Sequence, residues 1–498
     1  MKYLLSLIVA LLLISFSSCR DDFNFEPSDG KLEFSKDTVY FDTVFSNIGS
    51  STYQLKVYNR SDKDISIPSI KFKEGDASKY RMMVDGMSGK SFQNVELLAK
   101  DSMFIFIETT IDYNEYSSPT ADFLYTDQLL FDNGANQQEV ELVTLVKDAY
   151  FLYPQRYADG SYEHILLGDD AIYGFLLDEQ DPVNGNELVW NANKPYVIYG
   201  YATIPNNKTL TIQAGAEVHF HDASGILTPF GSRIEAAGTL EHPIVIQGDR
   251  LEPAFEDVSG QWGTIWMTQG SSGSFKNVTI KNGTIGLLIE KNEDTITFDN
   301  VQLYNHTQYG ILARTATLEG HNMVINNCGA AGFAGSLGGN YRFDHCTFAN
   351  YWSQGSKVPV YLDNGDGTAV YALERALFTN CILYGTGQYS LNLVKEGTGN
   401  FNYQFENSFI KFSDSGQYNN NNLYPIANTA NYTNCVITKS SSKSPQFRAP
   451  RANDLRINEK SAALGLGGNS SWTPLDILGE NRPTTGADAG AYNHVIFE

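Results

Sequence analysis

The chain has 498 residues, 42% of them hydrophobic, and a formal net charge of −22. That sign, with no clustered Lys and Arg, argues against nucleic acid as a partner, since phosphate binding needs basic patches. Five cysteines are too few for a disulfide-stapled secreted domain, and the length exceeds what one hydrophobic core usually holds, so two or three domains are expected.

Lys2, the apolar run Leu4 to Phe16 and the small residues before Cys19 follow the order of a signal peptide. The 13 residues from Leu4 to Phe16 rise roughly 20 Å as a helix, short of the ~30 Å hydrocarbon core, so the run is a leader and not a span. Phe16-Ser17-Ser18-Cys19 resembles a lipobox, with Phe16 where Leu is usual, and the resemblance implies lipidation of Cys19. Arg20-Asp21-Asp22 resembles the surface-export signal of some Gram-negative lipoproteins. Residues 1–18 are thus expected to be a lipoprotein signal peptide and 19–30 a lipid-anchored tether. The expected location is the outer membrane, at the cell surface, with the membrane met only through the lipid. The acidity is uneven: residues 19–189 hold 14 Lys and Arg against 31 Asp and Glu, whereas 190–450 hold 16 against 20.

Residues 31–147 show short alternating strands with no helical period, as in Tyr53-Gln54-Leu55-Lys56-Val57-Tyr58 and Gln138-Glu139-Val140-Glu141-Leu142-Val143, separated by turns such as Asn59-Arg60-Ser61-Asp62. An antiparallel sandwich is expected. The run from Phe41 to Phe72, with its Asn59-x-Ser61 corner, resembles immunoglobulin-like modules of cilia-associated and bacterial surface proteins, which act as spacers or binding units. Residues 148–189 carry Tyr150, Phe151, Tyr153, Tyr157 and Tyr162 among acidic residues, and read as a packed connector and N-terminal cap for the domain that begins near residue 190.

From residue 275 a six-residue motif recurs: an aromatic or apolar residue, any residue, Asn, a small or apolar residue, any residue, then an apolar one. It stands at Phe275–Ile280, Phe298–Leu303, Phe343–Phe348, Phe378–Leu383, Phe405–Ile410 and Tyr432–Ile437, with a degenerate copy around Asn322. The Asn position, occupied by His345 in one copy, advances by 23, 22, 23, 35, 27 and 27 residues. A period near 23 with one short strand fits a coil of a parallel β-helix, whose inward residues stack ~4.8 Å apart. Val278, Val301, Met323, Cys346, Cys381, Ser408 and Cys435 then form one inward stack, and the Asn residues a corner ladder. The cysteines are expected to be packed thiols, although a Cys346–Cys381 bridge between adjacent coils would fit disulfide geometry. The 35-residue advance marks an inserted loop.

Leu210–Phe220, Ile234–Leu240, His242–Ile246 and Trp262–Ile265, with the tail runs Lys460–Gly465, Asp476–Pro483 and Asp488–Tyr492, resemble opening coils and closing segments of right-handed parallel β-helix proteins of the pectin-lyase-like superfamily. The resemblance implies an all-β chain: the sandwich, then a right-handed parallel β-helix over 190–450, then a closing segment over 451–498. That superfamily holds lyases, hydrolases and adhesins, so the resemblance leaves activity open.

Lyases of this fold use a Lys or Arg base with a second cation, and hydrolases use paired carboxylates at fixed spacing. Lys276, Lys281, Arg314, Arg342 and Arg375 occur singly, and no carboxylate pair is apparent, so no catalytic residues are assigned. Asp363-Asn364-Gly365-Asp366-Gly367-Thr368 offers oxygens for Ca²⁺, but Gly365 stands where a ligand is wanted and a turn is expected. His219 and His221 have the spacing of a two-His metal face without a nameable third ligand. No metal or other cofactor is therefore expected. Tyr304, Tyr309, Tyr351, Trp352, Tyr361 and Tyr371 accumulate along the middle coils and are the candidate glycan-binding residues; Trp262 and Trp266 are expected in the core. Asp37-Thr38-Val39, Asp42-Thr43-Val44, Asp101-Ser102-Met103 and Asp294-Thr295-Ile296 resemble O-glycosylation acceptors of some Gram-negative phyla. The functional expectation is a non-catalytic surface lipoprotein binding an extracellular glycan or surface protein. The alternatives are a polysaccharide lyase or glycoside hydrolase, or a purely structural envelope protein.

Overall fold

The computed structural model describes residues 24–116, 122–355, 357–414, 416–418, 421–425, 427–439 and 443–497. Cys19 and Arg20-Asp21-Asp22 lie outside the described residues. The chain divides into two compact units, Met1–Asp148 and Ala149–Glu498. No helix among the described residues is long and apolar enough to cross a membrane.

The first unit is a β-sandwich. One sheet contains Thr38–Phe45, Gln138–Lys147, Asp122–Phe131, Ile65–Phe72 and Ser91–Leu97; the other contains Tyr53–Tyr58, Ser102–Thr109 and Tyr80–Val84. Alternation puts Val39, Leu55, Val57, Ile67, Ile105, Ile107, Val140 and Leu142 between them, all fully buried. The Asn59 corner has a physical reason. Its side-chain amide donates to the carbonyls of Lys63, Leu97 and Leu98, and its oxygen accepts from the N–H and hydroxyl of Ser61. A buried polar side chain is tolerated there because its bonds are made.

The second unit is a parallel β-helix with three strands per coil. One coil runs Thr317–His321, bends at Asn322, continues as Val324–Cys328, then Ala331–Ser336, and re-enters the first face as Gly339–Asp344. The first two faces join at the bend into a 19-stranded sheet, and the third face is a separate ten-stranded sheet. Parallel pairing reaches back to Tyr150–Leu152, which pairs with Tyr196–Ile198, and the third face begins with the hairpin His164–Leu167 and Asp170–Leu176.

The recurring motif is the bend itself. Asn277, Asn300, Asn322, His345, Asn380, Asn407 and Asn434 all have positive φ, between 47° and 56°. That left-handed region penalises most L-residues and penalises Asn least. The ladder runs mainly amide to amide: Asn300 donates to Asn277 Oδ1 at 3.0 Å, Asn322 to Asn300 Oδ1 at 2.9 Å and Asn434 to Asn407 Oδ1 at 2.7 Å. A second ladder follows at Asn282, Asn305 and Asn327, again with positive φ and linked Asn to Asn. The motif's first position stacks rings inside: Phe378 on Phe405 at 5.0 Å, and Phe405 on Tyr432 at 5.3 Å. Gly320 stands in that row in the degenerate copy because the Met323 sulfur fills the place of a side chain.

The inward stack is present. Val278, Val301, Met323, Cys346, Cys381 and Ser408 are buried and Cys435 is half-buried. Cys346 and Cys381 are neighbours but carry free thiols, as do Cys328 and Cys435. Cys346 Sγ donates to Asp344 O and Cys381 Sγ to Thr379 O, so each thiol is bonded within its own coil. Burial pushes Cys328 up to about 12 and Cys435 to about 11.

The C-terminal segment runs along the side of the coils. Leu455, Ile477 and Tyr492 cover Tyr304, Val324 and Ala349; Ile457, Ala463 and Ala489 cover Ile382, Tyr384 and Phe409. It is also bonded to both ladders: Arg482 Nη2 donates to Asn322 Oδ1, Gly468 N–H to Asn380 Oδ1, and Asn453, itself at φ 60°, to Asn305 Oδ1.

Two outcomes are expected. Asn322→Ala loses the amide bonds and a tolerated left-handed residue, and removes an acceptor from buried Arg482, costing about 2–4 kcal/mol. Asn434→Ala, at the exposed end of the ladder, costs about 1–2 kcal/mol. Thermal melts of the two variants rank them, and equal losses would refute the ladder's role. In the folded protein, iodoacetamide modifies Cys435 first and Cys328, Cys346 and Cys381 only on unfolding. A two-hydrogen mass deficit in the intact chain would instead show a disulfide.

Candidate functional site

The six aromatics expected to bind glycan do not form one surface. Tyr304 is 8% exposed, donates to Gln302 Oε1 and lies beneath the C-terminal segment. Tyr351 packs against Phe447 of that segment. Tyr304 is corrected from a ligand contact to a packing residue, because the tail covers it, whereas Tyr351 is half-buried at the edge of that contact. Trp352 lies in the turn before strand Val358–Asp363, beside Gly329 of the preceding coil. Tyr371 lies beyond the other end of that strand, its N–H bonded to Asn364 O. Tyr309 and Tyr361, both half-buried, belong to the third face.

That face has an outward row that sequence reasoning missed. Cross-strand register aligns Leu176, Thr203, Leu227, Trp266, Leu288, Leu312, Ala334, Tyr361 and Asn392; of these Leu176 is exposed, Trp266, Leu288, Leu312, Tyr361 and Asn392 are half-buried, and Thr203, Leu227 and Ala334 are covered. Their neighbours Ile226, Ile265, Leu287, Ile311, Phe333, Val360 and Leu391 point inward and are fully buried. Trp262 is in the core at 1% exposure, as expected, but Trp266 points outward and is half-buried. A signal was available. Gly286-Leu287-Leu288-Ile289 and Gly310-Ile311-Leu312-Ala313 place apolar residues at consecutive positions, and a strand must turn one of each pair outward.

A polar edge runs beside the apolar row. Trp266 Nε1 donates to Glu290 Oε2 at 2.9 Å, and Arg314 Nη1 donates to Glu290 Oε1 at 3.1 Å. Two coils on, Ser336 Oγ donates to Asp363 Oδ2 at 2.8 Å, and burial with the nearby Asp363 charge pushes the Tyr361 hydroxyl up to about 12. At the N-terminal end, the hairpin and the Phe230 turn wall a groove of about 640 Å³, in which Leu166, Leu176 and Phe230 are 75%, 54% and 68% exposed. Trp266 and Tyr361 are four strand steps apart, roughly 19 Å. The chemistry on offer is ring stacking with hydrogen bonding along one side, which suits a sugar face or a partner side chain.

The other candidate groups have local partners. His219 Nδ1 lies 3.0 Å from Gly248 O, while His221 Nδ1 lies 2.7 Å from Asp249 Oδ2, a hydrogen bond that raises its pKa. Asp366 Oδ1 accepts from Thr368 N–H, Thr368 Oγ1 and Ala369 N–H, the bonding of a turn. Among the described residues no three His, Cys, Asp or Glu side chains converge as a metal site requires. On the first face, Lys276, Asp299, His321 and Asp344 share a row, with His321 Nδ1 3.5 Å from Asp299 Oδ1. Asp299 also pairs with Lys276 at 3.1 Å, and Asp344 accepts from Asn380, Ser470 and Thr473.

No protein-family model and no curated protein matches this chain. Among solved structures it is similar to the periplasmic chaperone SfaE, at 17% identity over 24% of this chain and 57% of the chaperone, with a TM-score of 0.16. It is similar to an ASH/PapD-like domain of human CEP192, at 13% identity over 25% of this chain and 89% of that domain, with the same TM-score. It is also similar to a family 123 glycoside hydrolase from Clostridium perfringens, at 8% identity over 25% of this chain and 30% of the hydrolase, again at 0.16. The chain thus spans less than two thirds of the chaperone and of the hydrolase.

Acrylamide quenching tests the face assignment. Trp190 and Trp262 should be shielded, and Trp266→Phe should reduce the quenchable fraction of the emission. An unchanged fraction would place Trp266 inside.

Proposed function

We propose that this chain is a lipoprotein anchored through Cys19 at the outer face of the outer membrane, whose β-helix binds an extracellular glycan or surface protein without cleaving it. In this reading the immunoglobulin-like sandwich is a spacer in the chain between lipid and solenoid, and the solenoid is a right-handed, pectin-lyase-like β-helix. The observation that carries it is the set of half-exposed side chains Trp266, Leu288, Leu312 and Tyr361 in one cross-strand row, edged by Glu290, Arg314 and Asp363. Half-exposed rings and aliphatic side chains edged by hydrogen-bonding groups offer a ligand both stacking area and polar contacts.

The competing reading, a polysaccharide lyase or glycoside hydrolase, draws on His321 standing between two aspartates. Its limitation is chemical: the Asp299 and Asp344 carboxylates are already engaged by Lys276 and by the C-terminal hydroxyls. A general base needs its lone pair directed at substrate.

Purified protein screened on acidic and neutral polysaccharides, and on surface-protein extracts, separates the readings. Saturable binding without new reducing ends or unsaturated product is expected. Replacing Trp266 and Tyr361 together by Ala should weaken that binding about 30-fold. Turnover abolished by His321→Ala would support the enzyme and sink the binding-only reading.

A further inference from the structure

A cavity at the first coil has chemistry that the third face does not use. It measures about 370 Å³ and is walled by Tyr150, Tyr196, Asn184, Asn186, Asn191 and Glu187. Glu187 is only 7% exposed. One of its oxygens accepts the Asp178 N–H at 3.0 Å and the other the Asn184 side-chain amide at 3.1 Å. Both donors are neutral, and the carboxylate has no cationic partner among the described residues. Burial, with the charges of Asp181 and Asp178 adding to it, raises the Glu187 pKa. A buried carboxylate without a counter-charge is costly, and a cation entering beside it offsets that cost.

The rest of the wall suits a cation. The Tyr150 and Tyr196 rings lie 5.0 Å apart, and Trp190 stacks on Tyr196 at 5.3 Å, which holds the wall rigid. Lys194 places its ammonium 5.6 Å from the Tyr150 ring, a cation–ring contact of the kind an incoming ammonium would make in its place. The asparagine amides supply hydrogen bonding without competing charge. The volume accommodates one hexosamine or the end of a lysine side chain, and is small for an oligosaccharide.

We propose that this cavity binds a small organic ammonium, the protonated amine of an amino sugar or of a lysine side chain, with Glu187 as counter-charge and Tyr150 and Tyr196 as its ring wall. The proposal is independent of ligand binding on the third face, and either can fail alone.

Calorimetry on the full chain with glucosamine, N-acetylglucosamine, lysine amide and its Nε-acetylated form tests it. At least one free amine should bind about tenfold more tightly than its acetylated counterpart. The tighter of the two amines identifies the source. Glu187→Gln, which keeps an acceptor for the Asp178 N–H, should abolish the preference while the circular dichroism spectrum stays unchanged. Equal binding of free and acetylated forms, no binding of either amine, or a preference that survives Glu187→Gln overturns the proposal. If Glu187→Gln fails to fold, Tyr150→Leu replaces it, and the amine-to-acetyl comparison on the unaltered chain stands by itself.

Discussion

The β-helix depends on a bend that must recur at the same place in every coil. A left-handed residue costs most L-amino acids roughly 1–2 kcal/mol, and the cost repeats at every turn of the solenoid. Asn lowers it, and its amide can link one bend to the next, as Asn300 does to Asn277 and Asn322 does to Asn300. With the bend held in register, the strands on both sides are held too. The ring stack through Phe378, Phe405 and Tyr432 and the small-residue stack through Cys346, Cys381 and Ser408 follow from that alignment.

The ladder is interrupted at His345, and the interruption coincides with the docking of the tail. Asn380 finds no amide on the coil before it and donates to Asp344 Oδ1 instead. The other oxygen of Asp344 takes Ser470 and Thr473 from the C-terminal segment. Apolar contact alone would leave the segment free to slide along the second face, because burial is non-directional. The bonds from Arg482, Gly468 and Asn453 to ladder amides define its position. The tail therefore reads the same periodic feature that organises the coils.

This explains which parts were legible in sequence. The bend was legible because it needs one residue type at one spacing, and seven near-copies make a period. The inward stack followed by alternation, including the assignment of the cysteines to it. The second ladder at Asn282, Asn305 and Asn327 was not recognised: it spans only three coils, and its flanking residues share no pattern. The burial of Tyr304 and the partial covering of Tyr351 could not be read locally, since they are imposed by Tyr492 and Phe447, more than 90 residues away in the chain. Trp266 was misplaced for a different reason. Trp262 and Trp266 are four apart, which on a straight strand would put them on one face. Only Trp266 belongs to the strand Ile265–Met267; Trp262 lies outside it in an isolated bridge to Gly283, so the two do not share one strand's alternation.

Two faces of the solenoid carry apolar residues on their outer surface, and the protein treats them differently. On the second face, Tyr304, Val324, Ala349, Ile382, Tyr384 and Phe409 are buried by the chain's own tail. On the third, Trp266, Leu288, Leu312, Tyr309 and Tyr361 remain half-exposed, and Leu166, Leu176 and Phe230 more so. A parallel strand buried on both sides is expected to be apolar on both, so composition alone does not separate the two faces. Their surroundings do. The covered face meets the tail with apolar side chains and ladder amides, a packing chemistry. The open face is bordered by Glu290 shared between Trp266 and Arg314, and by Asp363 beside Tyr361, an arrangement that holds rings in place while leaving them accessible. Rings fixed in this way would lose little freedom if a ligand arrived, which is the physical reason the proposed binding is placed on this face and not on the covered one.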